Sequence, residues 1–387
     1  MTANGLRSKL PGTGTTIFTV MSRLAEQHQA VNLSQGFPDF DPPQRLRELV
    51  AEHLERGHNQ YAPMAGVPAL REAIASEIRR RYRVDVDPVT EITITAGATE
   101  ALFCTILALA GAGDEVIVLD PAYDSYEPAA TLAGAATIHI PLAAPDFRID
   151  WQRLRDALND RTRLIIINTP HNPTGTLLSR EDLDQLAEAI APYRCYVISD
   201  EVYEHIVFDD AGHASLLSQP ELAERGIAIS SFGKTFHATG WKTGYATGPE
   251  ALTEELRRVH QFAVFASTTP IQHALADFLA EDPEHYLALS GFYQQKRDYF
   301  LEAMQSTPFR FQPAAGTYFQ LADYSAISAL DDVEFSRQLT KDYGVATIPV
   351  SVFSRERLQA RLIRFCFAKE QQTLDEAATR LAALDRL

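Results

Sequence analysis

The sequence predicts an α/β fold, because short apolar runs alternate with helical patterns through the middle of the chain. From Glu91 onward, β-branched runs such as EVIVLD and RLIIIN are separated by helical stretches such as Arg180 to Ile190. Strands that alternate with helices pair in parallel through right-handed crossovers, so we expect a mostly parallel sheet covered by helices on both faces. After residue 285, strand-like runs such as RLIRFCFA mix with helices, which predicts a smaller α+β domain.

The segment that precedes the sheet is predicted to be mainly helical. Its polar arm, with PGTGTT, fits neither spaced-glycine phosphate fingerprint and is interpreted as a flexible lead-in. VNLSQ is predicted to be a strand that runs into a Gly-Pro turn, and HNQYAPMAG an irregular segment with an exposed Tyr61. Apolar residues recur with helical periodicity in Phe18 to Glu26, Leu46 to Glu55 and Ala69 to Tyr82.

The strands of the sheet are predicted from six apolar runs: EITITAG, EVIVLDP, ATIHIPL, RLIIINTP, CYVISDE and IAIS. Residues 251–305 are predicted to be mainly helical, and the tail is expected to mix strands with a helix through Leu339 before a closing amphipathic helix. The predicted large domain spans residues 45–285. The predicted small domain combines residues 1–44 with residues 286–387, because the N-terminal residues precede the sheet.

Composition and charge narrow the classes of function. The chain has 387 residues, and 51 Asp and Glu against 35 Lys and Arg give a formal net charge of −16. Such an acidic balance argues against non-specific binding to nucleic acids or anionic membranes, whose affinity comes from basic patches. We therefore expect a protein that acts on small molecules, with neither nucleic-acid nor membrane partners.

Cysteine usage and apolar runs bear on metals and location. Cys104, Cys195 and Cys366 lie in apolar runs without metal-ligand spacing, so we expect buried thiols, no disulfide framework and no metal site. The N-terminal sequence lacks the apolar stretch of a secretory signal, and no apolar run approaches ~20 residues. A cytoplasmic location is the resulting expectation.

Polar residues follow several of the predicted strands at their carboxyl ends. In an open α/β sheet the ligand lies beyond these ends, so the residues are expected to meet at one rim. The rim would comprise Gly97-Ala98-Thr99, Asp120 to Tyr123, Asn168 to Gly175, Asp200 to Tyr203 and Ser230 to Lys234. A single site is therefore predicted at that edge of the sheet.

Lys234 lies in SSFGKTFHATGWKTG, directly after the buried run Ile227 to Ile229. The small residues there are typical of tight, irregular backbone rather than helix. Burial would lower the pKa of this lysine and free a neutral amine, as a Schiff-base nucleophile requires. A solvated surface lysine is the ordinary alternative. A Walker-type phosphate loop is excluded because Ala228 stands where its first glycine is required.

Further groups at the rim could bind one anion and one cation. The backbone of Gly97 to Thr99, at a predicted helix start, suits a phosphate, to which Ser231 and Lys242 could also donate. A simple strand-to-helix turn is the alternative there. Asp200 ends an otherwise uncharged strand, where a buried carboxylate needs a cation, although an N-cap or surface Asp is also possible. Asn172 lies in an Asn-Pro turn that still allows a side-chain contact.

Together these groups match the requirements of one cofactor. Pyridoxal phosphate needs a lysine for a Schiff base, an acidic partner for its pyridinium nitrogen and an anchored phosphate. With its ring nitrogen protonated, it is an electron sink that stabilises a carbanion at the substrate Cα. Pyridoxal 5'-phosphate is therefore the predicted cofactor.

Seven motifs, in unchanged order from about Val31 onward, resemble the fold-type I, class I/II aminotransferases: QGFPDF, NQYAPMAG, GATEALF, NTPHNPTG, ISDEVYEHIVFD, SSFGKTFHATGWKTGY and RFCFAKE. Within that family the chain is similar to the branch of methionine and kynurenine–glutamine aminotransferases. The resemblance implies a PLP-dependent transferase-like fold and a homodimer with shared active sites. It also implies that Lys234, Asp200 and Tyr203 are catalytic, with Lys234 as the Schiff-base lysine and Asp200 on the pyridine nitrogen.

The same resemblance implies roles for the residues around them. Tyr203 and Asn172 would reach the ring hydroxyl of the cofactor, and Tyr123 would stack on the ring face. The phosphate would be held by residues of which the last comes from the other subunit: Ala98, Thr99, Ser231, Lys242 and Tyr61.

Arg364 lies in the alternating strand RLIRFCFA, where an arginine is either a snorkelling edge residue or a bidentate clamp for a carboxylate. The resemblance implies that it binds the substrate α-carboxylate, with Asn172 and the backbone of Gly36 assisting. An uncharged aromatic pocket for the substrate side chain is expected from Phe18, Phe37, Tyr61 and Tyr123, with Phe265 contributed across the dimer.

The implied reaction moves an amino group from a large neutral amino acid to a 2-oxo acid. The donor is expected to be methionine-like or aromatic, with glutamine and kynurenine also considered. Departures from some relatives near Phe18 and at Thr99 favour methionine over kynurenine, and the lack of an obvious second arginine disfavours aspartate. Two alternatives stay open: a PLP-dependent carbon–sulfur β-lyase acting on cystathionine or cysteine conjugates, and a non-catalytic ligand-sensing domain.

Overall fold

The computed structural model describes residues 7–356 and 360–384. Residues 1–6, 357–359 and 385–387, which the predicted small domain includes, lie outside the described residues. The chain begins with α1 (Ile17–Gln27), β1 (Val31–Asn32), α2 (Gln44–Glu55) and α3 (Pro68–Tyr82). The three helices agree closely with the predicted ones.

A seven-stranded sheet forms the centre of the molecule. Its strands are β2 (Ile92–Thr95), β3 (Glu115–Asp120), β4 (Ala136–Pro141), β5 (Thr162–Asn168), β6 (Tyr196–Asp200), β7 (Gly226–Ser231) and β8 (Gly244–Thr247). They lie in the order β2-β8-β7-β6-β5-β3-β4, and every pair from β7 to β4 is parallel. The predicted mostly parallel α/β sheet is confirmed.

Helices cover both faces of this sheet. Those between the strands are α4 (Ala98–Leu109), α5 (Tyr126–Ala133), α6 (Trp151–Ala157), α7 (Arg180–Ile190), α8 (Pro220–Ala223) and α9 (Phe232–Thr235). Three helices follow the sheet, namely α10 (Glu250–Ala263), α11 (Thr269–Glu281) and α12 (Glu284–Ala303). Successive strand residues point to opposite faces, so Ile165 and Ile167 pack into one apolar core, whereas Ile166 packs into the other. Burial on both faces explains why the strands read as continuous apolar runs.

Strand β8 is absent from the six predicted strands. It pairs antiparallel with both β7 and β2, and so joins β2 to the rest of the sheet. Its sequence, GYAT, is short and follows a segment rich in glycine and hydroxyl residues, so no apolar run marks it. The segment between β7 and β8 holds α9 and a 3-10 helix, Thr239–Trp241, which turn the chain back along β7.

The C-terminal part of the chain forms a second, smaller sheet. Its strands are β9 (Arg310–Phe311), β10 (Phe319–Asp323), β12 (Ile348–Pro349) and β13 (Leu362–Cys366), which pair antiparallel in the order β12-β13-β10-β9; β11 (Val345–Ala346) pairs in parallel with β1. Two helices belong to this part of the chain, α13 (Asp332–Asp342) and α14 (Gln371–Leu381). Short 3-10 helices also occur in loops, at Leu216–Ser218, Met304–Ser306 and Ser351–Phe353. The β1–β11 pair joins the N-terminal segment to the C-terminal part of the chain.

The cysteines and the helices are also the subject of sequence-based expectations, on disulfides and on membrane spans. Cys104, Cys195 and Cys366 are buried and free, as the sequence predicts. Within the described ranges, no helix combines the length and the hydropathy needed to cross a bilayer.

Candidate active site

A cavity of about 160 Å³ lies at the carboxyl ends of β5, β6 and β7. Their last residues, Asn168, Asp200 and Ser231, all line it. The sequence-predicted site residues that line the same cavity are Ala98, Thr99, Tyr123, Asn172, Asp200, Tyr203, Ser231, Lys234 and Lys242. Residues from five separate segments therefore meet at one edge of the sheet.

A larger cleft of about 1270 Å³ is lined mainly by residues 144–149, 174–179 and 310–315. Thr174 and Gly175 of the predicted rim line this cleft, but none of the residues predicted to hold cofactor or substrate does. Its ionic groups include Arg148, an exposed side chain that pairs loosely with Asp182 at 3.9 Å. Asp200 and Lys234, whose pKa values are displaced by burial, line the smaller cavity, so we locate the chemistry there.

Lys234 lies in α9, a single helical turn where the sequence predicts irregular backbone. Its Nζ donates to the Tyr318 hydroxyl at 2.9 Å and to the carbonyl oxygen of Gly36 at 3.2 Å. The ring centroids of Tyr203 and Tyr318 lie 5.5 and 5.4 Å from Nζ. The amine is therefore held by neutral oxygens and aromatic rings rather than by a carboxylate.

The protonation of Lys234 follows from these surroundings. Burial lowers the pKa of its amine to about 8, and the positive charges of Arg364 and Lys242 act in the same direction, while Asp200 opposes them. The neutral amine is consequently much more populated near neutral pH than it is for a lysine in water. A neutral amine is the form that can attack a carbonyl or accept a proton.

Asp200, at the end of β6, is a buried carboxylate without a salt bridge among the described residues. Burial raises the pKa of its carboxyl to about 6, against the hydrogen bonds from Tyr126 and Val202 and the charge of Lys234. The Tyr126 hydroxyl donates to Oδ2 at 2.6 Å. The carboxylate is thus fixed in orientation but lacks a close cation, which a ligand could supply.

A recess between α4 and β8 suits a phosphate. Gly97 caps α4 with a φ of 81°, and a Cβ there would lie 3.4 Å from Lys242 Nζ. A Cβ on Gly244 would lie 2.8 Å from the backbone nitrogen of Ala98, so only glycine allows this approach. A helix N terminus, the Lys242 ammonium and the Ser231 hydroxyl together offer the donors that phosphate groups require.

Aromatic and amide groups line the space between the recess and Asp200. Tyr203 is buried, and its ring meets that of Tyr318 edge-on at 5.1 Å. Burial raises the pKa of Tyr123 to about 12, although Thr99 hydrogen-bonds its hydroxyl. The backbone N–H of Asn172 donates to Oδ1 of Asn168 at 2.8 Å, which fixes the HNPTG turn at the rim. These groups are hydroxyl and amide donors at neutral pH.

Arg364, on β13, is fully buried beside the cavity. Its Nη1 donates to Oδ1 of Asn172 at 2.7 Å, and its Nη2 donates to the carbonyl oxygen of Ser34 at 3.1 Å. Its Cζ lies 3.8 Å from the ring centroid of Phe319. Nε has no hydrogen-bond partner, and no carboxylate of the described residues pairs with this guanidinium. A buried cation without an anion is a site for one.

The remaining predicted substrate residues divide into two groups. Phe18 lies on α1 with its ring 5.4 Å from Cζ of Arg364, and Gly36 accepts hydrogen bonds from Tyr318 and Lys234, so both adjoin the site. Tyr61 and Phe265 do not line the cavity of their own chain; they are 85% and 42% exposed and contact each other edge-on. Phe37 is likewise exposed, and its ring packs against Lys369.

Sequence reasoning missed two residues at this site: Tyr126, which holds Asp200, and Tyr318, which holds Lys234. Asn168, which the sequence placed on the rim without a role, donates to the Asp200 carbonyl oxygen at 2.7 Å and accepts from the backbone N–H of Asn172. Tyr126 begins α5 only three residues after Tyr123, so its place near the rim could have been noticed. Tyr318 comes from the smaller sheet region, and nothing local in GTYF indicates that it reaches a lysine in α9.

Comparison with known proteins gives matches along nearly the whole chain. Residues 28–381 match the family model described as aminotransferase class I and II. Methionine aminotransferase from Escherichia coli is 55% identical over 99% of this chain and 100% of its own length. The crystal structure of a methionine aminotransferase from that organism superposes with a TM-score of 0.96 and covers 98% of this chain and 99% of that one.

Two further relatives carry different substrate names. The structure of N-succinyldiaminopimelate aminotransferase from Mycobacterium tuberculosis is 41% identical, with a TM-score of 0.95 over 98% of this chain and 100% of that one. Human kynurenine–oxoglutarate transaminase 3 is 35% identical over 95% of this chain and 88% of its own length. Given this similarity in sequence and fold, the chain belongs to the aminotransferase class I and II family.

Proposed function

We propose that this protein is a pyridoxal-phosphate-dependent aminotransferase that takes the amino group of a large neutral amino acid and delivers it to a 2-oxo acid. When bound, pyridoxal phosphate supplies an aldehyde and a conjugated ring that accepts the electron pair released at the substrate Cα. The site fits that cofactor: a recess of phosphate donors, a buried carboxylate without a cation, and a lysine with a lowered pKa face one cavity.

The residues that would hold the cofactor divide according to its parts. Lys242, Ser231 and the N terminus of α4 would bind the phosphate. Asp200 would accept a hydrogen bond from the protonated ring nitrogen, and Tyr126 would keep the Asp200 carboxylate in place. Because that carboxyl has a pKa of about 6, it is ionised at neutral pH, and a bound cation would lower its pKa further. Tyr203 and Asn172 would face the ring hydroxyl, and Tyr123 its face.

Lys234 would hold the cofactor covalently before substrate binds and then act through its free Nζ. With its pKa lowered to about 8, Nζ would accept a proton from the substrate Cα and later donate that proton again, without a large energetic penalty for either step. The Tyr318 hydroxyl and the Gly36 carbonyl oxygen keep Nζ beside the cavity during this transfer. The rings of Tyr203 and Tyr318 flank the amine, with centroids 5.5 and 5.4 Å from Nζ.

The observation that carries the proposal is the buried guanidinium of Arg364. It is prepared on two sides by Asn172 and Ser34, has an unused Nε, and lacks a protein carboxylate among the described residues. An amino acid and a 2-oxo acid share one feature, a carboxylate next to the reacting carbon, which such a guanidinium binds with two hydrogen bonds. One clamp can therefore serve both the donor and the acceptor.

The substrate side chain is proposed to be uncharged. The rings of Phe18, Phe319 and Phe353 surround Arg364, and of the described residues that line the cavity none is an arginine. A second carboxylate would thus have no bidentate partner there. Together with 55% identity to a methionine aminotransferase, this supports methionine and aromatic amino acids as donors.

Absorbance of the purified holoprotein tests the proposal. We expect the visible band of bound cofactor to disappear with L-methionine and to return with a 2-oxo acid, and both changes to be lost in Lys234→Ala. Lys341, an exposed lysine on α13, provides the matched control, and Lys341→Ala should behave as the wild type. Release of pyruvate and ammonia from cystathionine without any acceptor would identify a β-lyase instead.

A panel of donors tests the substrate class. We expect kcat/KM for methionine or phenylalanine to exceed that for aspartate by at least about tenfold, because a second carboxylate would be left unpaired. Glutamine and kynurenine complete the panel. A preference for aspartate would overturn the uncharged pocket while leaving the aminotransferase assignment intact.

We also propose that the enzyme is a homodimer in which Tyr61 reaches the phosphate of the other subunit, and that residues 45–285 form the cofactor-binding domain. The exposed aromatic residues Tyr61, Phe262 and Phe265 support an interface on that surface.

Coexpression of Lys234→Ala subunits with Tyr61→Ala subunits tests whether the active sites are shared. Mixed dimers hold one intact site of two, so roughly a quarter of wild-type activity should return if sites are shared. Activity equal to the sum of the separate variants would refute sharing.

A further inference from the structure

We propose that His53, His58 and His273 form a binding site for one divalent transition-metal ion of the zinc type, with Asp277 supporting it. The site lies between α2 and α11, apart from the cavity around Lys234. Ligand nitrogens of the three rings lie within 4.8 Å of one another. Nitrogens bound to one tetrahedral zinc are about 3.3 Å apart at Zn–N distances near 2.05 Å, so rotation of the side chains by at most about 1.5 Å would close the site.

The three imidazoles are already gathered face to face. The ring centroids of His58 and His273 are 4.0 Å apart, and those of His53 lie 4.9 and 5.2 Å from the other two. Across the described residues, no hydrogen bond reaches either ring nitrogen of His273 or Nε2 of His58. The cluster therefore holds nitrogen lone pairs that the protein itself does not use.

The proton arrangement leaves one lone pair of His53 pointing into the cluster. Its Nε2 lies 2.9 Å from Oδ2 of Asp277, so a neutral ring donates that N–H to the carboxylate. Nδ1 of His53 is then an acceptor, and it faces Nδ1 of His58 at 2.8 Å. A carboxylate behind a ligating histidine is the arrangement that fixes the tautomer and raises the basicity in metal sites.

The helices present these side chains by their periodicity. His53 continues the buried stripe of α2 after Leu46 and Leu49, and it is itself buried. His273 and Asp277 are one turn apart on α11, which packs against α2. The expectation of no metal site rests on the spacing of the cysteines, whereas these ligands are histidines. His53 and His58 lie on either side of the end of α2, and His273 lies on a helix distant in sequence.

Electrostatics favour a metal ion over added protons. The ring centroids lie 4.0 to 5.2 Å apart, so positive charges on more than one of these rings would repel each other. A single divalent ion can instead serve all three neutral rings at once. Imidazole ligands suit zinc, copper and nickel rather than magnesium or calcium, and the fourth position would be taken by water.

The location gives the site a structural role. His58 begins the segment that carries Tyr61, and α11 already holds this segment: Oγ1 of Thr269 donates to the carbonyl oxygen of Gln60 at 2.6 Å, and Oε1 of Gln272 accepts from the N–H of Val67 at 2.8 Å. A metal on His58 would add a third attachment between this segment and the two helices. The metal site does not depend on the proposed reaction.

Calorimetric titration of tag-free holoprotein with zinc sulfate, after dialysis against a chelator, tests the site. We expect one zinc ion per chain, with the Kd weakened about tenfold or more in His58→Ala and in His273→Gln, and about tenfold to a hundredfold in Asp277→Asn. His28 is exposed and lies far from the cluster in sequence, so His28→Ala is the matched control and should bind as the wild type. Melting in chelator should be the same for all variants, and zinc should raise the melting temperature only where it binds.

X-ray absorption on zinc-loaded wild type provides a measurement without substitutions. We expect about three nitrogen ligands near 2.0 Å with imidazole scattering. The proposal is overturned if saturable binding is absent, if zinc binds equally well to His58→Ala and His273→Gln, if His28→Ala loses binding to the same degree, or if the spectrum contains sulfur or only oxygen ligands.

Discussion

Two buried carboxylates four residues apart in the chain are treated in opposite ways. Asp200 faces the cavity, and burial raises its pKa to about 6. Glu204 is equally buried, and burial alone would raise its pKa too, but His205, Arg81 and His213 reverse that effect and lower it to about 2. Arg81 donates to Glu204 at 3.0 Å, and Ser230 donates to its other oxygen at 2.6 Å.

The two sides of β7 separate these environments. Ser230 hydrogen-bonds Glu204, whereas its neighbour Ser231 lines the cavity, because successive strand residues point to opposite faces. On the Glu204 side every charge has its partner within the protein. On the Asp200 side, carboxylate, lysine and arginine are each held in place but not neutralised. The contrast teaches that unpaired buried charge distinguishes a site prepared for a ligand from a network that holds the fold.

The largest effect is expected on the unpaired side. Asp200→Asn should lower kcat/KM by about a thousandfold, since a neutral amide cannot stabilise a cationic ring nitrogen. Steady-state assays with methionine measure this, and cofactor content by absorbance separates lost chemistry from lost binding. A variant that kept a tenth of the activity would contradict the interpretation of Asp200 as an unpaired carboxylate prepared for a ligand.

Glu204→Gln should instead damage the fold. Removing one member of a buried ionic network leaves Arg81 uncompensated and should cost about 3 kcal/mol of unfolding free energy near pH 7, measured in urea. Because the folded-state pKa is lowered from 4.5 to about 2, this stabilisation is present above pH 4.5 and is lost as the pH falls toward 2.

Two further measurements test whether the effect of Glu204→Gln is specific to the fold. Glu224→Gln, at an exposed position, should change stability by no more than about 0.5 kcal/mol. The specific activity of folded Glu204→Gln should stay near that of the wild type. Equal stability of Glu204→Gln and the wild type at pH 7 would show that the network is not a stabilising one.

Arg364→Lys should act mainly on substrate binding. Lysine keeps the charge but not the planar pair of donors, so we expect kcat/KM for methionine to fall by about thirtyfold, or ~2 kcal/mol. KM should rise more than kcat falls, and inhibition by simple carboxylates should weaken in parallel. An unchanged KM would contradict the carboxylate clamp.

The smallest expected effect is a gain in stability. In cofactor-free protein Lys234→Met should raise the unfolding free energy at pH 7 by ~1–2 kcal/mol, because it removes a charge that burial disfavours. Between pH 8 and 10.5 unfolded wild type holds more protons than folded, so the stability of the wild type rises and the difference should shrink. Urea unfolding at pH 7 and pH 10 measures it, and a constant difference would exclude the lowered pKa as its cause.

The sequence predicts regular elements well and contacts between distant segments poorly. The parallel strands are recognisable because burial on both faces makes them continuous apolar runs, whereas β8 escapes notice because GYAT is short and its pairing is set by β2 and β7. Lys234, Asp200 and Arg364 stand out because each is a charge within an apolar or small-residue context. Tyr318 and Tyr126 do not, because a tyrosine is ordinary in a core and only the folded chain brings these hydroxyls to their partners.

The order in which β8 joins the sheet bears on how the protein matures. In the strand order, β2 is joined to the other strands through β8, the last strand of this sheet to be synthesised. Gly244 of β8 is wedged between the backbone of Ala98 and that of Ser230. The phosphate recess between α4 and β8 is therefore complete only after β8 has inserted between β2 and β7, so a chain that ends before β8 is expected to lack the phosphate anchor of the proposed cofactor.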